Sequence, residues 1–208
     1  MKHVLSLEQW ARKDLFQFFR QFSEPFFGVT VQADVTRAYA QSKTEKTSFF
    51  LRYLHAALAA ANDIEPFRYR MEGEGVVVYD VVHASPTISR NDGSFGFAYM
   101  DYHTDFASFA EIAQAEIERI EHTAGLFAAT SGENVIHFSS LRWLNFTALS
   151  HARHFAFPDS APKISFGKVT EQSGRYTMPV SIHVHHALMD GYHVGLWVDR
   201  FQTLLDAG

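Results

Sequence analysis

Between Tyr176 and His186 the apolar residues Met178, Val180, Ile182 and Val184 recur at every second position, and beyond Gly191 the step lengthens to Val194, Trp197, Val198, Phe201, Leu204 and Leu205. The first spacing is that of a strand, with Met178 to His186 along one face and Ser181, His183 and His185 along the other; the second is that of an amphipathic helix. Strand and helix are joined by His185-His186-Ala187-Leu188-Met189-Asp190-Gly191. An imidazole at the mouth of such a turn, followed by a carboxylate and a glycine, is placed for acid–base chemistry. A histidine that ends a strand is more often a packing or hydrogen-bonding residue than a catalyst, so His-x-x-x-Asp-Gly alone does not establish the chemistry.

The remaining elements are read from the same two periods. Ser6 with Gln9 reads as a capping box opening a helix over Leu7 to Phe22. Val29, Val31, Ala33 and Val35 alternate as a half-buried strand, and Phe49, Tyr53, Leu54, Leu58 and Ala61 mark a helix within Thr44 to Asn62. Strands are expected at Phe67–Met71 and Val76–Val82, joined through Glu72-Gly73-Glu74-Gly75, and again at Phe95–Tyr102, Val135–Leu141 and Ile164–Thr170. Phe106 to His122 has helical spacing. Pro179 lies inside the last strand and needs a position where no ladder N–H is required. Roughly four or five helices and seven strands make a two-layer α/β sandwich, a largely antiparallel or mixed sheet covered by helices, within one domain spanning residues 1–208.

Composition removes several function classes. A net charge of -5 without a basic block argues against nucleic acid as a partner. The absence of cysteine excludes disulfides and thiolate metal sites. With no apolar run of about 18 residues and no signal-type N-terminus, no membrane association is expected and the cytoplasm is the expected location. Twelve histidines invite a metal reading, but no His-Glu-x-x-His pattern occurs and no metal is expected. Twenty phenylalanines fit a large aromatic core as well as a pocket for a hydrophobic ligand.

Val184 to Gly195 resembles the signature of the chloramphenicol acetyltransferase family, a His-His-Ala-x-x-Asp-Gly-Phe/Tyr-His run. The similarity extends through Ser139-Ser140-Leu141-Arg142-Trp143-Leu144-Asn145-Phe146, Ala161-Pro162 to Lys168, and Trp10-Ala11-Arg12-Lys13 with the aromatic run Phe16 to Phe19. The resemblance implies a CoA-dependent acyltransferase fold, acetyl-CoA as acyl donor, a small hydroxyl acceptor, and a homotrimer with its sites between subunits. It implies His186 as the general base, Ser139 as the oxyanion donor, and Asp190 paired with Arg12 as a brace for the turn. Trp143 and Lys168 match the cofactor side, and Ser165, keeping the hydroxyl of a family threonine, joins them in an auxiliary role. Phe18, Phe19, Phe27, Phe95, Phe97, His151 and Arg153 fall where the family holds its acceptor.

Departures from the family cluster at that acceptor pocket. Phe19 replaces a tyrosine, Phe97 replaces an alanine, Ser23 and Pro25 stand where more apolar or sulfur-bearing residues are usual, and Leu149 to His154 is polar and basic where apolar side chains are expected. Val169 stands where an aromatic often stacks on the adenine. Three readings follow: chloramphenicol O-acetylation, which would make the chain an antibiotic-resistance enzyme; O-acetylation of another small hydroxyl compound, including one whose acidic group meets Arg153; and a non-catalytic paralogue that binds CoA or a metabolite.

Overall fold

The strand expected from Tyr176 runs from Arg175 to His185 (β10) and is the longest strand of the sheet in the computed structural model, which describes residues 1–126, 132–153 and 159–207. On one side β10 pairs antiparallel with β2 (Phe26–Asp34), from Thr177 opposite Asp34 to His185 opposite Phe26. On the other it pairs antiparallel with β8 (Lys163–Phe166), which lies parallel to β7 (Val135–Ser140), itself parallel to β5 (His83–Ser89). β6 (Phe95–Phe97) closes the far edge, and β9 (Thr170–Gln172) pairs with the start of β10. The sheet is mixed, as expected. A separate three-stranded sheet holds β1 (Lys2–Val4), β4 (Gly75–Tyr79) and β3 (Tyr69–Glu72), and the β3–β4 hairpin turns at Gly73, whose φ of 57° favours glycine.

Register decides which side chains share a face. Val180 lies opposite Val31 and Phe166, and Ile182 opposite Val29 and Ile164, so these residues line one face with Phe138. Against it pack α3 (Phe49–Asp63) and α5 (Gly191–Ala207): Tyr53 meets Phe166 at 4.6 Å between ring centroids, Phe201 meets Phe166 at 6.2 Å, and Trp197 donates its indole N–H to Ala57 O at 3.2 Å. Val180, Ile182, Val184 and Trp197 are fully buried. Each such side chain contributes roughly 1.5–3 kcal/mol, and a one-residue slip of β10 would exchange them for Ser181, His183 and His185.

The opposite face is polar. Thr30, Ser181, Ser165 and Ser139 form one row across four strands, and Gly28, His183, Lys163, His137 and Ser85 form the next. Ser181 and Ser165 are fully buried there. Arg70 of β3, 1% exposed, ties the small sheet to the large one: its guanidinium donates to Glu133 O at 2.8 Å, Phe67 O at 3.0 Å and to Val135 O at the start of β7. Pro179 is accommodated where β10 passes the break between β8 and β9. Its carbonyl accepts from Gly167 N–H at 2.8 Å, and because a strand residue's N–H and C=O point the same way, the missing N–H would have faced this break.

Several boundaries differ from expectation. The segment Leu7–Gln9 is a single 3-10 turn, Ser6 makes no side-chain cap, and the helix proper is α1 (Lys13–Phe19). Trp10 interrupts it in an extended conformation because its ring packs against Phe16 at 5.9 Å and Tyr69 at 5.6 Å. The helix expected from Thr44 begins at Phe49, capped by Ser48, and is preceded by α2 (Thr36–Glu45), which ends with Lys46 at φ 56°. Strands β1 and β5 were not anticipated, and β6 stops at Phe97, leaving Met100 to bridge Ala84. The helix read at Phe106 is α4 (Phe106–Glu121), with Asp105 as its cap.

Candidate active site

His186 follows the last residue of β10 and extends the β2 pairing by one bond, its N–H donating to Pro25 O at 2.8 Å. Its ring stacks on Phe19 of α1 at 3.9 Å between centroids and 18° between planes, and Phe27 of β2 closes the other side at 4.7 Å. The Nδ1 atom lies 3.2 Å from Met189 O. A carbonyl only accepts, so Nδ1 carries the proton and Nε2 presents its lone pair. That is the tautomer a general base needs.

Asp190 does not complete a triad with this imidazole. Its carboxylate contacts the Arg12 guanidinium, accepts from Tyr192 N–H at 3.1 Å and lies 2.9 Å from His193 Nδ1. Arg12 Nη2 also donates to His186 O at 3.3 Å, so one guanidinium holds both ends of the turn. Burial pushes the Asp190 carboxyl up, but the hydrogen bond and charge of Arg12 outweigh it and hold the group below the ordinary carboxylate value. The pair is only partly buried, at 12% exposure for Arg12 and 32% for Asp190. Phe18 and Phe22, both exposed, pack on Phe19 at 5.0 and 5.2 Å and extend the aromatic wall beside His186.

Ser139 is not brought to His186 within one chain. It stands in the row of Ser165 and Ser181, two strands from β10, and His186 lies five residues further along β10. At about 3.3 Å per residue and 4.8 Å per strand this separates them by roughly 19 Å, with the two side chains on different faces. Ser165 is fully buried with its hydroxyl 3.3 Å from His151 Nε2. Beside this row, a pocket of about 220 Å³ is lined by His151, His183, Arg153, Lys163, Glu24 and Phe26. Arg153 lies over the Phe26 ring at 3.6 Å and donates to Glu24 at 2.8 Å. Lys163 contacts Asp159. Burial, with the neighbouring His183 and Lys163, pushes His151 down to about 4, and burial likewise lowers His183 and His137, leaving these rings neutral at pH 7. The His183 ring lies against Gly28, where an added Cβ would sit 2.3 Å from Nε2.

On the expected cofactor side, Trp143 is 65% exposed, and its segment is held to β8 by the Lys168 N–H bond to Leu144 O at 2.8 Å. Lys168 is exposed as well. Phe95 and Phe97 contact each other at 5.7 Å on β6, at the sheet edge farthest from β2 and so away from His186 of the same chain. Of the segment Leu149 to His154, His154 lies outside the described residues.

Lys163, His137 and Glu24 are the residues of this region that the linear reading passed over. The alternation Lys163, Ser165 on one strand and His137, Ser139 on another was legible, but only the β7–β8 register sets the two pairs side by side. Among the described residues no group of three or more His, Asp or Glu side chains is placed to hold a metal, and no helix is long and apolar enough to cross a membrane.

The chain is similar to known proteins over nearly its whole length. A solved structure named chloramphenicol acetyltransferase superposes with a TM-score of 0.91 at 31% identity, covering 99% of this chain and 100% of its own. A chloramphenicol acetyltransferase of Klebsiella sp is 29% identical over 206 residues, 98% of this chain and 93% of that protein. A probable dihydrolipoamide acetyltransferase from Listeria monocytogenes shares the fold alone, with a TM-score of 0.69 at 11% identity over 95% of this chain and 92% of its own. The family model for chloramphenicol acetyltransferase matches residues 2–202, and the chain belongs to that family of acyltransferases.

Proposed function

We propose that the protein is an acetyl-CoA-dependent O-acetyltransferase in which His186 removes the proton of an acceptor hydroxyl as it attacks the thioester. The observation that carries this reading is the Nδ1 contact to Met189 O, which commits the proton to that nitrogen and leaves Nε2 as the base. The ring is fixed by Phe19 and Phe27, and its turn by Arg12 and Asp190. The oxyanion formed on attack needs a donor set in advance, a role assigned to Ser139.

The separation of His186 from Ser139 supports three copies of the chain with sites shared between neighbours, His186 of one copy facing the Ser139 row of the next. Phe95 and Phe97 then belong to the acceptor site from the facing copy. Trp143 and Lys168 hold the CoA end, with Val169 contributing no ring. Chloramphenicol is the first acceptor to test, because it is the substrate in the relatives' names. The polar, cationic pocket beside Ser165 favours a second reading in which the chemistry is kept and the acceptor differs.

The test is a thiol-release assay with acetyl-CoA, chloramphenicol and a panel of other alcohols, on wild type and His186→Ala. Turnover that disappears in the variant is expected. CoA binding without turnover of any acceptor would leave a binding paralogue instead.

A further inference from the structure

We infer that Tyr53 of α3 and Ser140 of β7 form a positioning pair for Ser139: the hydrogen bond between their hydroxyls fixes the strand end from which the oxyanion donor projects. This rests on the role given to Ser139 in the acetyltransferase reading above and names what holds that donor in place.

Ser139 and Ser140 are consecutive strand residues, so their side chains leave opposite faces of the sheet. Ser139 joins the polar row of Ser165 and Ser181, and Ser140 faces the helix layer, where its Oγ lies 2.9 Å from the Tyr53 hydroxyl. Among the described residues the pairing of β7 with β5 ends at Pro86 opposite Phe138, whereas its pairing with β8 continues through Ser139 opposite Ser165 and Ser140 opposite Phe166. The sheet thus holds the last two residues of β7 from one side. Beyond them the chain leaves the sheet in a turn closed by Leu144 N–H donating to Leu141 O at 2.9 Å. A cavity of about 330 Å³ is lined by Ser140 and Tyr53 together with Thr87 and Ile88 of β5, so open space rather than packed side chains adjoins the strand end.

Tyr53 supplies the constraint that β5 does not. It is 7% exposed, and its ring is fixed by Phe49 at 5.1 Å, Phe50 at 5.6 Å and Phe166 at 4.6 Å between centroids. A phenylalanine would bring the same ring to that place; what the tyrosine adds is a hydroxyl. Burial, only partly offset by the Ser140 hydrogen bond, pushes this phenol up to about 12, so it keeps its proton at pH 7 and stays a neutral hydrogen-bonding group. A buried hydroxyl without a partner is costly, which keeps the Tyr53–Ser140 contact closed. Fixing Ser140 from the helix side fixes the peptide it shares with Ser139, and placement in advance is what gives an oxyanion donor its value. Tyr53 and Ser140 act through Ser139, not on the reacting atoms.

The experiment measures steady-state kinetics of the full-length protein with acetyl-CoA and the alcohol of the panel above that the wild type acetylates fastest. Tyr53→Phe and Ser140→Ala are each expected to lower kcat about tenfold, less than the roughly hundredfold loss of the donor itself, with KM for both substrates within about twofold. Ser140→Thr, which keeps the hydroxyl, should recover most of the activity. In a Ser139→Ala background Tyr53→Phe should change kcat by less than about twofold, because the residue it positions is already gone. A purely structural role would show the same loss in both backgrounds. Full kcat in Tyr53→Phe and Ser140→Ala, equal losses with and without Ser139, or a change confined to KM overturns the inference while leaving the acetyltransferase reading intact. If Tyr53→Phe fails to fold, Ser140→Ala carried through the same two backgrounds decides. Wild-type kcat in Ser139→Ala removes the donor and the inference with it, and a wild type that acetylates no alcohol defeats the broader reading as well.

Discussion

Arg12 and Asp190 stand 178 positions apart in sequence and meet at the turn that carries His186, where Arg12 also donates to His186 O at 3.3 Å. The His186 turn is therefore positioned by an ion pair that never touches the imidazole ring. The pair acts on the backbone from which the imidazole projects.

Removing either partner should weaken the fold and the base together. A fully buried pair broken on one side costs about 3–5 kcal/mol. With Asp190 32% exposed, a smaller loss of about 2 kcal/mol is expected for Asp190→Asn or Arg12→Ala. The folded pKa of Asp190 is lowered, so its contribution is complete above the ordinary value of 3.8 and disappears as pH falls through the lower folded value. Urea unfolding should thus show the same loss at pH 6 and pH 8. A variant with full kcat would remove the pair from any role in orienting His186.

Replacing His186 by Gln or Ala should lower kcat about a hundred- to ten-thousand-fold with little change in melting temperature, the range for a lost general base. Because His186 and Ser139 of one chain are far apart, His186→Ala and Ser139→Ala copies should complement each other when mixed. In the proposed three-copy assembly, random mixing pairs an intact His186 with an intact Ser139 at about a quarter of the interfaces, giving about a quarter of wild-type activity. If mixing restores nothing, the sites are not shared between copies.

Gly167 is a packing lever beneath the segment that carries Trp143. A Cβ there would lie 2.4 Å from Pro179 Cγ and 2.8 Å from Leu144 O, and a backbone oxygen yields only if the segment carrying Trp143 moves. Gly167→Ala should cost about 1–3 kcal/mol of stability by overpacking. It should also raise KM for acetyl-CoA more than it lowers kcat. An unchanged KM would place Trp143 off the cofactor path.

Acid should unfold the protein through its buried histidines. Burial first, then the charge of Arg153, lowers His185 to about 4, and His151 is lowered to about 4 by burial, His183 and Lys163. The unfolded chain binds these protons from about pH 6.5 downward while the folded one does not, so stability is complete above 6.5 and falls between 6.5 and 4. His185, 3% exposed, accounts for roughly 2–3 kcal/mol of that fall. Chemical denaturation across this window should be steep in wild type and shallower in His185→Asn; a flat wild-type profile contradicts it.

Local periodicity made the strand to His185, the helix from Gly191, the helix from Phe106 and the hairpin at Gly73 legible, because each is specified by neighbours a few residues away. The first helix was misjudged for the opposite reason: Trp10 follows Tyr69, a residue of the small sheet, rather than helical hydrogen bonding. Strands β1 and β5 carry too little alternation of apolar and polar residues to announce themselves, and exist because a partner strand accepts their hydrogen bonds.

The candidate site divides in the same way. The imidazole, the turn glycine and the Arg12–Asp190 brace could be named from residue types and their resemblance to a known family. The cationic pocket could not, since Glu24, Arg153, Lys163 and His183 come from separate stretches of chain that only antiparallel registry around β10 and the loop crossing its polar face set together. Hydrogen-bond register over long sequence distances leaves no local trace, and it is this register that decides which charged and polar side chains line the pocket.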